Sequence, residues 1–214
     1  MKKINVLLLG DSIRMFYREA VAKELGEEYR VYSPDENCRF SSYVLNSLRL
    51  WLPQYPTPDI IHFNAGLWDT AVLYPEDGCF AKKEEYTENM LKILRELKKS
   101  GAALIFATTT PVHDRKQFLN GPVPPAHSNQ DITAYNQSVL QAYKNENVRV
   151  NDLFSLMYPE KERYLSEDMI HPNEDGVQLL AKAVANAVRA CGHVTNDTKQ
   201  NQNRTAAQSE KTVQ

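Results

Sequence analysis

The chain carries no surplus of either charge: 25 Lys and Arg stand against 27 Asp and Glu, a formal net charge of −2 over 214 residues. Without a basic field nucleic acid meets no general attraction, so no nucleic-acid partner is expected and a small or weakly charged ligand fits better. Nor does any apolar segment approach the roughly 20 residues of a membrane helix, and no membrane partner is expected. Cysteine is scarce and odd in number, with Cys38, Cys79 and Cys191 scattered and no C-x-x-C pair. That excludes a disulfide framework and a cysteine zinc site, and it fits free thiols in a reducing compartment. His62, His113, His127 and His193 lack metal-ligand spacing, so no metal is expected. There is no internal repeat.

A chain of this length allows one α/β domain burying roughly 70% of its unfolded surface and is too short for two comfortable ones. From Thr195 onward it is Asn, Gln, Thr, Lys and Ser with almost nothing to bury. The expected organisation is one domain over residues 1–193 and a disordered polar tail over 194–214.

What is present is organised around Ile4 to Ser12, an apolar run cut off by Gly10-Asp11-Ser12. Two lysines before it imitate a signal peptide, but the run is short, ends in Asp11 and lacks a small-residue cleavage site. It reads instead as a buried strand in a cytoplasmic protein. From Ile13 to Leu25 the spacing of Phe16, Ala20, Val21 and Leu25 is helical, so Ser12 sits at a strand-to-helix turn where helix-start N–H groups suit a developing oxyanion. Alone, an Asp-Ser before a helix reads equally as an N-cap.

Further strands are expected at Tyr29 to Tyr32, Asp59 to Asn64, Ala102 to Thr108 and Val148 to Leu153. Between them lie helical patterns at Ser41 to Leu52, Lys83 to Lys99 and Asp131 to Asn145, and a last helix is expected from Pro172 to Cys191. Strands alternating with helices imply a parallel sheet. The long loop from Thr109 to Gln130, rich in Pro, Asn and Gly, is expected to shape the pocket.

Late in the chain stands Asp168-Met169-Ile170-His171-Pro172. A carboxylate three residues from an imidazole can accept its Nδ1–H and leave Nε2 free to take a proton from a serine. A lone D-x-x-H is equally a helix cap with an incidental histidine. Joined to a serine at the carboxyl end of strand one, it makes a triad whose members share one edge of the sheet.

With Gly10-Asp11-Ser12, Gly66-Leu67-Trp68-Asp69 and Asp168-Met169-Ile170-His171 in that order, the chain resembles the SGNH hydrolases of the GDSL esterase/lipase family. Thr108-Thr109-Thr110-Pro111 and Tyr135-Asn136 extend the likeness. The resemblance implies a flavodoxin-like three-layer α/β/α sandwich on a five-stranded parallel sheet. It also implies a triad of Ser12, His171 and Asp168 and ester hydrolysis through an acyl-enzyme, with no cofactor.

Two departures stand out. The family's third block uses an asparagine for the oxyanion, and Trp68 occupies that slot; Asn64, two residues before Gly66 on a period-two strand, is the expected substitute, or else merely a strand cap. The second block's glycine is not evident in Asn37-Cys38-Arg39-Phe40-Ser41, which occupies that loop, and a backbone N–H near Arg39 is the expected donor. Arg39 is equally open as a partner for an anionic substrate group or as a plain surface residue. The oxyanion set is thus Ser12, Arg39 and Asn64.

Asp11, Phe40, Gly66, Trp68 and Asp69 are the expected substrate-side residues, with Asp11 and Asp69 also tying down loops. Trp68, Phe40 and Tyr74 are set to form an apolar or sugar-stacking wall, or else core. The function expected is a serine esterase on a small-molecule ester, with a short acyl group such as acetyl, on a carbohydrate for instance. The alternatives are an acyltransferase on the same triad and a catalytically silent ligand-binding domain. A flavin-binding flavodoxin-like protein is disfavoured, because the turn after strand one lacks a Ser, Thr and Gly run to wrap a phosphate. Oligomeric state is not fixed by the sequence.

Overall fold

The computed structural model describes residues 3–74, 76–113 and 126–191. Strand β1 (Ile4–Leu9) is apolar from Val6 onward because both of its faces are covered. Val6 and Leu8 enter one core and Leu7 and Leu9 the other, all four essentially without exposure. The sheet continues through β2 (Tyr29–Tyr32), β3 (Ile60–Phe63), β4 (Ala103–Ala107) and β5 (Arg149–Asn151), every pair parallel, in the order β2-β1-β3-β4-β5. This is the flavodoxin-like order, and it reverses between β1 and β3. The crevice outside the carboxyl ends of those two strands is where such sheets bind ligands.

Helix α1 (Ser12–Leu25) and the last helix, α7 (174–191), cover one face of the sheet through Ile13, Tyr17 and Val21 and through Leu180, Val184 and Val188. Helices α2 (Ser41–Trp51), α3 (Lys83–Lys98) and α4 (Asn129–Ala142) cover the other through Val44, Leu48, Met90, Ile93 and Val139. The result is the three-layer sandwich, with two short helices, α5 (Leu153–Met157) and α6 (Lys161–Tyr164), between β5 and α7.

Local chemistry explains where the boundaries depart from the periodicity. Helix α4 starts at Asn129, two residues early, because the Ser128 hydroxyl accepts from the Gln130 and Asp131 amides. Strand β5 stops at Asn151 because Asp152 caps α5. Pro172 does not begin the last helix: it pairs with Leu165 in an isolated bridge, and the helix starts at 174. Phe16 is not core, as its helical spacing predicts, but 50% exposed; the buried stripe of α1 runs through Ile13, Arg14, Tyr17, Val21 and Leu25.

No described helix is long and apolar enough to cross a membrane. The expected tail at 194–214 and residues 114–125 of the expected pocket loop lie outside the described residues.

Candidate active site

Gly10 lets the chain turn straight from β1 into α1. A Cβ there would stand 2.9 Å from Arg14 Cβ, inside van der Waals contact. Asp11 caps the helix by accepting from the Ile13 amide at 2.9 Å, and Ser12 is its first residue. The Ser12 N–H therefore belongs to the first turn, whose donors have no helical partner and whose dipole favours negative charge.

Arg14, 1% exposed, fixes what surrounds that turn. Its guanidinium donates to the carbonyls of Gly10, Pro34 and Glu36 and to the Ser33 hydroxyl. The loop leaving β2 is thereby stapled to the turn that carries Ser12.

The Asp168–His171 segment is a knot of its own hydrogen bonds. The Ser166 amide donates to the His171 carbonyl at 2.8 Å, the Met169 amide to the Ser166 carbonyl at 3.0 Å, and the His113 amide to the Met169 carbonyl at 2.9 Å. Met169 takes a left-handed φ of 68° to close the turn. Asp168 Oδ1 accepts from the Ser166 hydroxyl and from the Ile170 and His171 amides, and Oδ2 lies 2.6 Å from His171 Nδ1.

Partial burial pushes the Asp168 carboxyl up, but those donors outweigh it and hold it at about 2. An ionised Asp168 claims the Nδ1 proton, so Nε2 is left as the acceptor. Nε2 lies 2.8 Å from Ser12 Oγ, joining residues 159 apart in sequence. His127 also stands near His171, and burial above all pushes it down to about 4, so it is neutral at physiological pH.

The other expected oxyanion donors are already engaged. Asn64 Nδ2 donates to the Ala107 carbonyl at 2.8 Å and approaches Thr109 Oγ1 at 3.2 Å. It lines, with Gly10, Asp11 and Tyr17, a cavity of about 10 Å³. The exit of β4 takes both of its amide protons. Arg39 has the left-handed φ of 53° that favours glycine, but its amide donates to Asn37 Oδ1 at 2.8 Å and its guanidinium lies over the Tyr43 ring. Of the three expected donors, only the Ser12 amide is left without a partner among the described residues.

Three of the expected substrate-side residues are buried. Asp69 is wholly buried and grips Ser41, accepting from its hydroxyl at 2.6 Å and its amide at 2.9 Å. Asp11 is 2% exposed. Burial pushes both carboxyls up to about 6 against their hydrogen bonds. Gly66 is buried at φ 151°, where a Cβ would meet Thr109 Oγ1 at 2.3 Å. These three build the floor under the site and offer no surface to a ligand.

Trp68 is exposed, but Phe40 packs on Phe80, ring centroids 5.0 Å apart, and on Tyr43. Among the described residues no ring contact joins Trp68, Phe40 and Tyr74 into a wall. His62 is a buried core histidine pushed down to about 4, beside Asn151. No three described His, Cys, Asp or Glu gather as a metal site, and His193 lies outside the described residues.

The sequence did not point to Arg14, Phe16, Ser166 or His127. Arg14 alone carried a signal, as a cation on the apolar stripe of α1. Thr109 and Asn136, noted only as part of a resemblance, exchange two hydrogen bonds and fix the exit of β4 to α4.

The arrangement has counterparts among solved structures. The acetyl xylan esterase AlAXEase superposes with a TM-score of 0.67 at 16% identity, over 86% of this chain and 100% of that one. A lipase/acylhydrolase from Enterococcus faecalis gives 0.68 at 18%, over 87% and 96%. A carbohydrate esterase family 3 protein from Talaromyces cellulolyticus gives 0.66 at 16%, over 89% and 99%. At such identities the likeness is one of fold. No curated protein matches the chain in sequence. The family model of the GDSL-like lipase/acylhydrolases, however, matches residues 8–179, from β1 into α7, and the chain therefore belongs to that family of carboxylic ester hydrolases.

Proposed function

We propose that the protein is a serine esterase that cleaves a short acyl group, such as acetyl, from a carbohydrate or similar alcohol through an acyl-enzyme on Ser12. The observation that carries this reading is the hydrogen-bonded succession from Asp168 through His171 to Ser12, at 2.6 and 2.8 Å.

His171 Nε2 takes the Ser12 proton as Oγ attacks the ester carbonyl carbon. The carbonyl π pair moves to oxygen, and the oxyanion is held by the Ser12 N–H at the start of α1. The tetrahedral intermediate collapses with His171 returning its proton to the leaving alcohol oxygen. Water, deprotonated by His171 in turn, attacks the acyl-enzyme and releases the acid and free Ser12. Asp168, ionised throughout, stabilises the imidazolium in both halves. The short acyl group rests on two neighbours of the same fold, one an acetyl xylan esterase and one a carbohydrate esterase.

A fluorophosphonate probe tests the reading. Labelling of the wild type and loss of labelling in Ser12→Ala are expected. Labelling that persists in the variant overturns the nucleophile. Failure of both to label favours the silent ligand-binding alternative, to which the engaged Asn64 and Arg39 donors would be suited. Incubation with an acceptor alcohol separates hydrolysis from acyl transfer by product.

A further inference from the structure

We propose that Phe16 is a positioning residue for His171, holding the imidazole in line between Ser12 and Asp168 and excluding water from one face of it; this rests on the triad reading above. Phe16 lies four residues after Ser12 on α1, one turn along the same side of the helix. Its ring stacks on the His171 ring with centroids 4.9 Å apart and planes 25° from parallel. It contributes little to the core, being half exposed.

The need comes from the other partner. Asp168 has half of its side chain in contact with solvent and sits on a loop, while His171 is a quarter exposed. An ion pair or hydrogen bond so open to water holds a side chain loosely. The two in-plane bonds of the imidazole fix its edges, at Nδ1 and Nε2, and leave its faces undetermined. Phe16 covers one face, so rotation of the ring away from Ser12 has to break an aromatic contact. When the imidazole is protonated during the reaction, the same stacked ring faces a cation, which favours the charged form further.

Because Phe16 is half exposed, Phe16→Ala should leave the thermal midpoint nearly unchanged. It should lower kcat roughly 3- to 10-fold, the rate equivalent of one aromatic stacking contact, with KM altered less than twofold. In the resting enzyme, the proton NMR signal of His171 Nδ1–H should broaden or exchange away in Phe16→Ala and return in Phe16→Tyr. Activity should likewise return in Phe16→Tyr and stay low in Phe16→Leu, which keeps the bulk without the π face. Wild-type kcat together with a wild-type Nδ1–H signal in Phe16→Ala would overturn the proposal. So would full rescue by leucine. Ser12→Ala run alongside keeps the two readings apart: activity surviving there refutes the triad, whereas an inactive Ser12→Ala with a fully active Phe16→Ala refutes only the role of Phe16.

Discussion

Three aspartates around the candidate site divide into two kinds. Asp168 lies at the rim, half in solvent, surrounded by four donors, and its carboxyl is held at about 2. Asp11 and Asp69 lie beneath it, 2% and 0% exposed, with their carboxyls pushed up to about 6 by burial. Asp11 Oδ2 meets no hydrogen-bond partner among the described residues. The difference teaches that a carboxylate stays ionised where amides and a hydroxyl converge on it and water still reaches. Charge in the floor is instead tolerated at a cost in stability, with the Arg14 guanidinium offsetting part of it for Asp11.

The largest expected effects break the rim. Removing the nucleophile in Ser12→Ala should lower kcat/KM by about 10⁴-fold or more, measured on an aryl acetate. Asp168→Asn keeps the shape but loses the negative charge and permits the wrong tautomer. A fall of about 10³- to 10⁴-fold in kcat is expected, with circular dichroism unchanged.

The floor responds in stability rather than in rate. Gly66→Ala forces a Cβ to within 2.3 Å of Thr109 Oγ1 at a φ that only glycine adopts with ease. A loss of about 3 kcal/mol in denaturant unfolding is expected. Arg14→Met strands three carbonyls around the nucleophile turn and should cost about 2 kcal/mol by the same measurement.

The smallest effect sharpens the contrast through pH. For Asp11 the folded pKa lies above the unfolded one, so the folded state binds more protons between about pH 4 and 6, and stability falls as pH rises through that window. Asp11→Asn should flatten that fall by about 2 kcal/mol in urea unfolding from pH 4 to pH 7, because the amide keeps the Ile13 cap without the charge. Asp168 runs the other way: its lowered pKa contributes stability above about pH 4 that is lost as pH falls toward 2. An Asp11→Asn profile that parallels the wild type would show that the buried carboxyl is not the source of the slope.

Much of the frame was legible because it depends on local patterns. Continuous apolar runs give strands covered on both faces, as in β1 and β4, and the order of strands and helices fixes a parallel sheet. Gly10-Asp11-Ser12 is readable since a turn from strand to helix needs the glycine and the cap at adjacent positions. Asp168 and His171 are readable because three residues suffice to bring carboxylate and imidazole together.

The site was legible only where such short-range geometry sufficed. What the sequence did not show is that the Asn64 amide is already engaged, since a strand's period tells which face a side chain takes but not which acceptors wait there. Those acceptors, Ala107 and Thr109, come from β4. Arg39 occupies a left-handed turn that glycine would adopt freely, and nothing in its own neighbourhood announces it. The apolar spacing of α1 counted Phe16 toward the core; the true stripe, one residue over, includes a buried arginine that periodicity scores as polar.

By itself the sequence determined the elements, their order, and the two segments that carry Ser12 and the Asp168–His171 pair, because propensity, capping and periodicity act over a few residues. Only the tertiary structure decided that His171 Nε2 reaches Ser12 across 159 residues, which aspartates are buried and which solvated, and that Phe16 lies on the imidazole. Those outcomes depend on what packs against each side chain from elsewhere in the chain, and desolvation and hydrogen-bond supply are set by such neighbours rather than by the residue's own identity.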